Sequence, residues 1–201
     1  MKETNLTFLF ILISNLMFSQ NFEGYILYDY VFLDSSGNDI TSEMSNERGS
    51  EQHYYINSNN YKAIDDKGRL VQLYNSESNI YYFQNGEIIQ QISAKTEYPK
   101  LFDAKPSNET EVIANYNCKS VVVKGDSGIT QYFYNENVSV DKDNFDKHRF
   151  GSWSQYLNYS NGALPLKFIV KNESYTWIAT AVKVEEVELD DDEFEVGNYF
   201  K

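Results

Sequence analysis

Few side chains in this sequence are placed to do chemistry. The two histidines, His53 and His148, form neither an H-x-H nor an H-x-x-x-H pattern, so no single element presents a pair of imidazoles to zinc. A serine hydrolase needs its nucleophile beside a base, yet the chain has no G-x-S-x-G turn and nothing singles out one of its serines. Asp141-Lys142-Asp143-Asn144-Phe145-Asp146 begins like a calcium loop, but Phe145 occupies a ligand position and Asp146 stands where the sharp turn requires glycine. The carboxylate-rich run from Glu185 to Glu193 reads as solvated charge at a strand end. Cys118, the single cysteine, has no intramolecular disulfide partner and reads as a small buried hydrophobe. These observations predict a non-catalytic protein with no cofactor and no metal site; an enzyme of unidentified type is the last of the alternatives.

Aromatic side chains are the unusual resource. With 17 Tyr, 13 Phe and 2 Trp, they make up 16% of the chain, and several runs are apolar on both faces. A sheet covered on one side needs only one apolar face. The surplus therefore points to a curved sheet enclosing an apolar cavity, or to a second surface that meets a partner, and the first is the preferred expectation. The predicted cavity wall is Ile26, Tyr28, Tyr30 and Phe32 of the first strand, together with Phe168, Trp177 and Trp153. The competing expectation is that the same side chains fill a solid core.

The elements that must position these residues are strands. From Asn21 onward the apolar period is two: Phe22, Ile26, Tyr28, Tyr30 and Phe32 fall on one side of a long first strand. Further β-rich runs are 52–56, 61–64, 70–74, 80–83 and 87–92, then 120–123, 129–134, 166–170 and 175–184. Short turn segments at 57–60, 65–68, 75–78 and Asn85-Gly86 leave no room for parallel crossovers, so the sheet is predicted to be an antiparallel meander of about ten strands. Asn85-Gly86 suits a type I′ hairpin. Behind Ser152, the residues Trp153, Tyr156 and Leu157 recur at helical spacing, and Ser152-x-x-Gln155 fits a capping box, which predicts a short helix to about Tyr159 facing the sheet. Pro99 to Thr110 reads as an irregular loop between the two strand groups.

Composition fixes the setting. The 201 residues are 41% hydrophobic and 23% charged with 3 Pro, which suits a single domain. A net charge of −13 repels polyphosphate backbones and anionic head groups, so nucleic acid is excluded as an expected partner. Lys2 followed by the apolar run Leu6–Phe18 and the polar exit Ser19-Gln20 predicts a signal peptide over residues 1–20, with residues 21–201 as the mature domain. The run is too short and too interrupted to span a bilayer core of about 30 Å, and no cysteine follows it to carry a lipid anchor. The expectation is an exported, unlipidated protein of the periplasm or exterior, without a transmembrane anchor once the signal is removed.

The exit Phe18-Ser19-Gln20, the opening Phe22-Glu23-Gly24-Tyr25-Ile26-x-Tyr28, the segment Thr110 to Lys119, the run Leu164-Pro165-Leu166 and the closing Val187-Glu188-Leu189-Asp190-Asp191-x-x-Phe194-x-Val196 together carry a family resemblance. They resemble exported Bacteroidota proteins of the GLPGLI-type and related uncharacterised families, themselves similar to the LolA, LolB and LppX group of lipid and lipoprotein carriers. Where such proteins often carry glycine before Tyr-x-Cys, this chain has Asn115, which suits the position if it requires positive φ. The resemblance implies a mainly β fold: one twisted antiparallel sheet curled into a LolA-like half-barrel, with one or two short helices over its concave side. It supplies no catalytic residue. The expected function is binding or carriage of an apolar ligand, such as a lipid or a lipoprotein acyl chain. The alternative is a non-catalytic module that docks on another envelope protein.

Overall fold

The computed structural model describes residues 21–86, 88–96, 101–126 and 128–199. The predicted signal peptide, Met1 to Gln20, and Pro99 of the predicted loop lie outside the described residues. Eleven strands alternate with little else: β1 (Gly24–Asp34), β2 (Glu51–Ile56), β3 (Tyr61–Asp65), β4 (Leu70–Asn75), β5 (Ile80–Asn85), β6 (Ile88–Ser93), β7 (Phe102–Ile113), β8 (Tyr116–Gly125), β9 (Gly128–Ser139), β10 (Ala163–Lys171) and β11 (Tyr175–Glu186). Two short helices, α1 (Thr41–Arg48) and α2 (Trp153–Ser160), interrupt them. The strands form one sheet in the order β6-β5-β4-β3-β2-β1-β11-β10-β9-β8-β7, antiparallel throughout. Two meanders are thus joined at their middle by the pairing of β1 with β11, along which Phe32 lies opposite Trp177.

Chain length forces the sheet to curl. β6 and β7 are consecutive in sequence but occupy opposite edges, and the eight residues between Ser93 and Phe102 must connect them. Fully extended, that connection reaches about 30 Å. A flat sheet of eleven strands at about 4.8 Å spacing would hold its edges close to 48 Å apart. The open sheet is therefore a half-barrel, and its inner face becomes a trough.

Strand periodicity loads that trough as expected. Along β1, Gly24, Ile26, Tyr28, Tyr30 and Phe32 are buried, while the residues between them are partly or fully exposed. In β2, Gln52, Tyr54 and Ile56 take the same face, and the turn at 57–60 passes it on to Tyr61 and Ala63 of β3. Helix α2 closes the trough with Tyr156 and Leu157, the Tyr156 ring lying 4.5 Å from that of Tyr132 in β9. Helix α1 contributes no buried residue; its start is tied to β1 by Phe32 N donating to Thr41 Oγ1 at 2.9 Å.

Several expectations need correcting. Residues 102–113 are a strand, β7, rather than a loop: Pro106 sits on the sheet's edge, where a missing N–H removes no interior ladder bond. Asn85 ends β5 opposite Ile88, so Gly86, at φ 64, opens the hairpin turn. Ser152 precedes α2 as expected but caps nothing. Its φ is 61, no side-chain capping bond forms, and its hydroxyl is buried without a partner. The last part of the acidic run is also not free in solvent. Asp191 Oδ1 accepts from Asn57 Nδ2 and Asn60 Nδ2 at 2.9 and 3.0 Å, Lys62 Nζ donates to the Glu193 carbonyl at 2.9 Å, and Phe194 is buried against the outer face beside Lys62. Part of the aromatic surplus thus covers the convex side. Asn115 adopts φ 70 in the tight turn between β7 and β8, so the position does require the positive φ that asparagine tolerates.

Candidate functional site

The trough is not filled along its whole length. A hollow of about 260 Å³ remains against its inner face. Its floor is laid by neighbouring strands: Tyr28 from β1, Gln52 and Tyr54 from β2, and Tyr61 from β3, all buried. Phe168 and Val170 from β10 and Trp177 from β11 form one wall, Tyr81 from β5 stands opposite, and His148, Phe150 and Trp153 close over from the segment leading into α2. The rim residues Val71, Tyr81, Phe150, Trp153, Phe168 and Trp177 are half-buried, so the hollow communicates with solvent.

Of the predicted cavity wall, the structure brings Tyr28, Phe168, Trp177 and Trp153 to this hollow. Ile26, Tyr30 and Phe32 lie on the same face and are buried, but they are packed solid beside it instead of lining it. Tyr30 and Phe32 support the wall from behind, with ring centroids 5.0 and 6.2 Å from Trp177, and Trp177 in turn meets Phe168 edge to face at 5.0 Å. The wall residues missed from the sequence divide in two. Gln52, Tyr54 and Tyr61 were within reach, because carrying the period of β1 through two tight hairpins assigns them to the same face. His148 and Phe150 lie in an irregular stretch with no periodicity to assign them.

Hydrogen bonds hold the floor in place. Tyr28 OH donates to the Pro165 carbonyl at 2.6 Å, Tyr81 OH to Gln72 Oε1 at 3.0 Å, and Tyr30 OH to Gln52 Oε1. Pro165 lies where the β10 register shifts, a position at which a strand tolerates proline. His148 is 1% exposed, its Nε2 2.6 Å from Tyr61 OH and its ring 4.3 Å from that of Tyr74. Burial lowers its pKa from 6.5 to about 3, so the imidazole is neutral. Burial likewise raises the hydroxyls of Tyr28, Tyr54, Tyr61 and Tyr81 well above the usual tyrosine value, which keeps them protonated. Among the described residues, the lining holds no Asp, Glu, Lys or Arg. Those residues offer aromatic surface and neutral hydrogen-bonding groups.

The other chemical candidates take structural places. His53 lies on the convex side of β2, its Nδ1 2.8 Å from Tyr25 OH. Cys118 is 2% exposed, and burial pushes its thiol up to about 11. Asp141 caps the helical turn at Lys142–Phe145 by accepting from Asp143 N, while Phe145 is buried in the core. Among the described residues, no three His, Cys, Asp or Glu side chains cluster as metal ligands, and no helix is long and apolar enough to cross a membrane.

No family model matches the chain, and no curated protein matches it. Among solved structures, it is similar to PNGF-II in the C2 crystal form, with 16% identity and a TM-score of 0.46 over 87% of this chain and 32% of that one. The P21 form of PNGF-II gives 19% identity and a TM-score of 0.45, covering 87% of this chain and 30% of that one. The chain thus spans about a third of the length of PNGF-II. A LolA superfamily protein from Nitrosomonas europaea is similar at 10% identity and a TM-score of 0.38, over 89% of this chain and 92% of that one. The half-barrel rests on the strand order and curl described above, and the GLPGLI-type resemblance finds no matching family model.

Proposed function

We propose that this chain is an exported, non-catalytic binding protein that carries an apolar ligand, such as a lipid or acyl chain, in the trough of its half-barrel. The observation that carries the reading is the aromatic hollow of about 260 Å³ opening from the inner face of the sheet. A dry apolar cavity of about 150 Å³ accepts benzene, and pockets for drug-sized ligands start near 300 Å³, so this hollow suits a ring or one segment of a chain. Burial of apolar ligand surface would drive binding at about 25 cal/mol per Å². Export rests on the apolar run Leu6–Phe18 and its polar exit. Native mass spectrometry of protein isolated from its own envelope, with extraction of bound lipid, tests the reading. Retained lipid on a chain lacking its first twenty residues is the expected result. A ligand-free mature chain that also fails to take up a fluorescent fatty acid would refute carriage.

A further inference from the structure

Free space on the inner face continues past the hollow. A second hollow, of about 150 Å³, lies beside the entry to α2, over Val123 and Thr130 and between Phe102 of β7 and Tyr156 of α2. Tyr132, Gly151, Trp153 and Val170 border both hollows. Strand register explains the shared floor. Trp177 lies opposite Val170, Val170 opposite Thr130, and Thr130 opposite Val123, so one cross-strand row leads from the wall of the first hollow into the second. Residues directly opposite in a sheet share a face, so that row stays inside the trough. Above it, Gly151 has no side chain, and the Trp153 ring is what narrows the passage. Its centroid lies 5.8 Å from the ring of Tyr61 beside the first hollow and 5.8 Å from that of Tyr156 beside the second.

Resting on the carrier reading, we propose that the second hollow is the tail site of the first, so that one unbranched chain of the acyl class passes Trp153 and fills both. A cavity of about 150 Å³ accepts the six carbons of benzene. On that scale the first hollow takes about ten chain carbons and the second about six. A rigid ring system is confined to one side of Trp153, whereas a chain is narrow enough to lie across the passage. Among the described residues, no charged side chain borders the second hollow, which suits hydrocarbon.

The chain carries its own reporter, because its two tryptophans, Trp153 and Trp177, both line the first hollow and Trp153 also borders the second. Tryptophan emission of the purified mature protein would be titrated with saturated fatty acids from octanoate to hexadecanoate, each below its micelle threshold. Full burial of one methylene tightens binding about fourfold. The expected result is a Kd that falls at every step, by at least thirtyfold between decanoate and hexadecanoate. Thr130 borders the second hollow and not the first, so Thr130→Phe places a ring in the tail site alone. It should leave octanoate and decanoate within twofold of the parent and remove at least tenfold of the later gain. Decanoate binding by the variant checks its folding, and the parent series decides the matter without it. A parent Kd that levels off beyond about ten carbons, or an undiminished gain in a Thr130→Phe variant that binds decanoate, would overturn the tail site while leaving carriage standing. Emission unmoved by every chain length would overturn carriage, and the tail site with it.

Discussion

The same three strands build both ends of the trough, and they build them differently. At one end β1 supplies Ile26, β10 supplies Leu164 and Leu166, and β11 supplies Ala181; with Leu157 of α2, these are buried together in the core. Toward the other end the same strands switch to aromatics, with Tyr28, Tyr30 and Phe32 on β1, Phe168 on β10 and Trp177 on β11, and there the hollow opens. Branched aliphatic side chains interdigitate to near-crystalline density. Rings are flat plates that meet edge to face, as Trp177 meets both Tyr30 and Phe168 with interplanar angles of 88° and 87°, and plates at right angles leave corners.

Truncation should separate the ends most clearly. Leu166→Ala, at a site with 0% exposure, is expected to cost about 2–5 kcal/mol. Trp177→Ala removes a larger side chain, yet beside a space that already exists it is expected to cost less than the ~3–5 kcal/mol of a fully packed tryptophan, and less than Leu166→Ala, while weakening ligand uptake. Urea unfolding midpoints measured at constant slope check the order of the two, and a Trp177→Ala loss exceeding that of Leu166→Ala would show the aromatic end to be packed as tightly as the aliphatic one.

Between these two effects lies a pH dependence. The folded pKa of His148 is depressed from 6.5 to about 3, so between those values the unfolded chain binds the extra proton. The contribution of this residue to stability is complete above about pH 6.5 and is lost as pH falls toward 3, amounting to a few kcal/mol in all. His148→Gln is expected to flatten the decline in melting temperature between pH 6.5 and pH 4. An unchanged slope would mean that the closing segment opens to water well before the sheet unfolds.

The smallest expected effect concerns the entry to α2, which presents Trp153 to the hollow. A capping Ser152 would lose about 1 kcal/mol on replacement by alanine. Because its hydroxyl is buried and unpartnered, Ser152→Ala should instead leave the melting temperature unchanged. Ser152→Gly should raise stability by up to about 1 kcal/mol, since glycine adopts φ 61 without steric cost.

Legibility followed locality. The alternation of Ile26, Tyr28, Tyr30 and Phe32 is a property of one strand, and burial along β1 reproduces it residue by residue. The helix over Trp153–Ser160 was readable from its spacing, but its start was not, because Gly151 and Ser152 enter it in the left-handed conformation, which no capping motif encodes. β7 was hidden behind Pro106, since a proline reads as a break until the strand is known to lie on an edge.

The sequence by itself determined hairpin-linked antiparallel strands, which residues of β1 turn inward, and an aromatic content beyond what one buried face requires; that the strands form two meanders and not one was beyond it. Tertiary structure alone decided that β1 pairs with β11, that the short connection from β6 to β7 curls the sheet, and that His148 and Phe150 close over the hollow. It also decided where on one inward face packing is solid and where it is not. Periodicity fixes a side chain's direction from its immediate neighbours along the chain. Whether space remains between side chains depends on ring shapes and angles contributed by strands far apart in sequence, which no local pattern records.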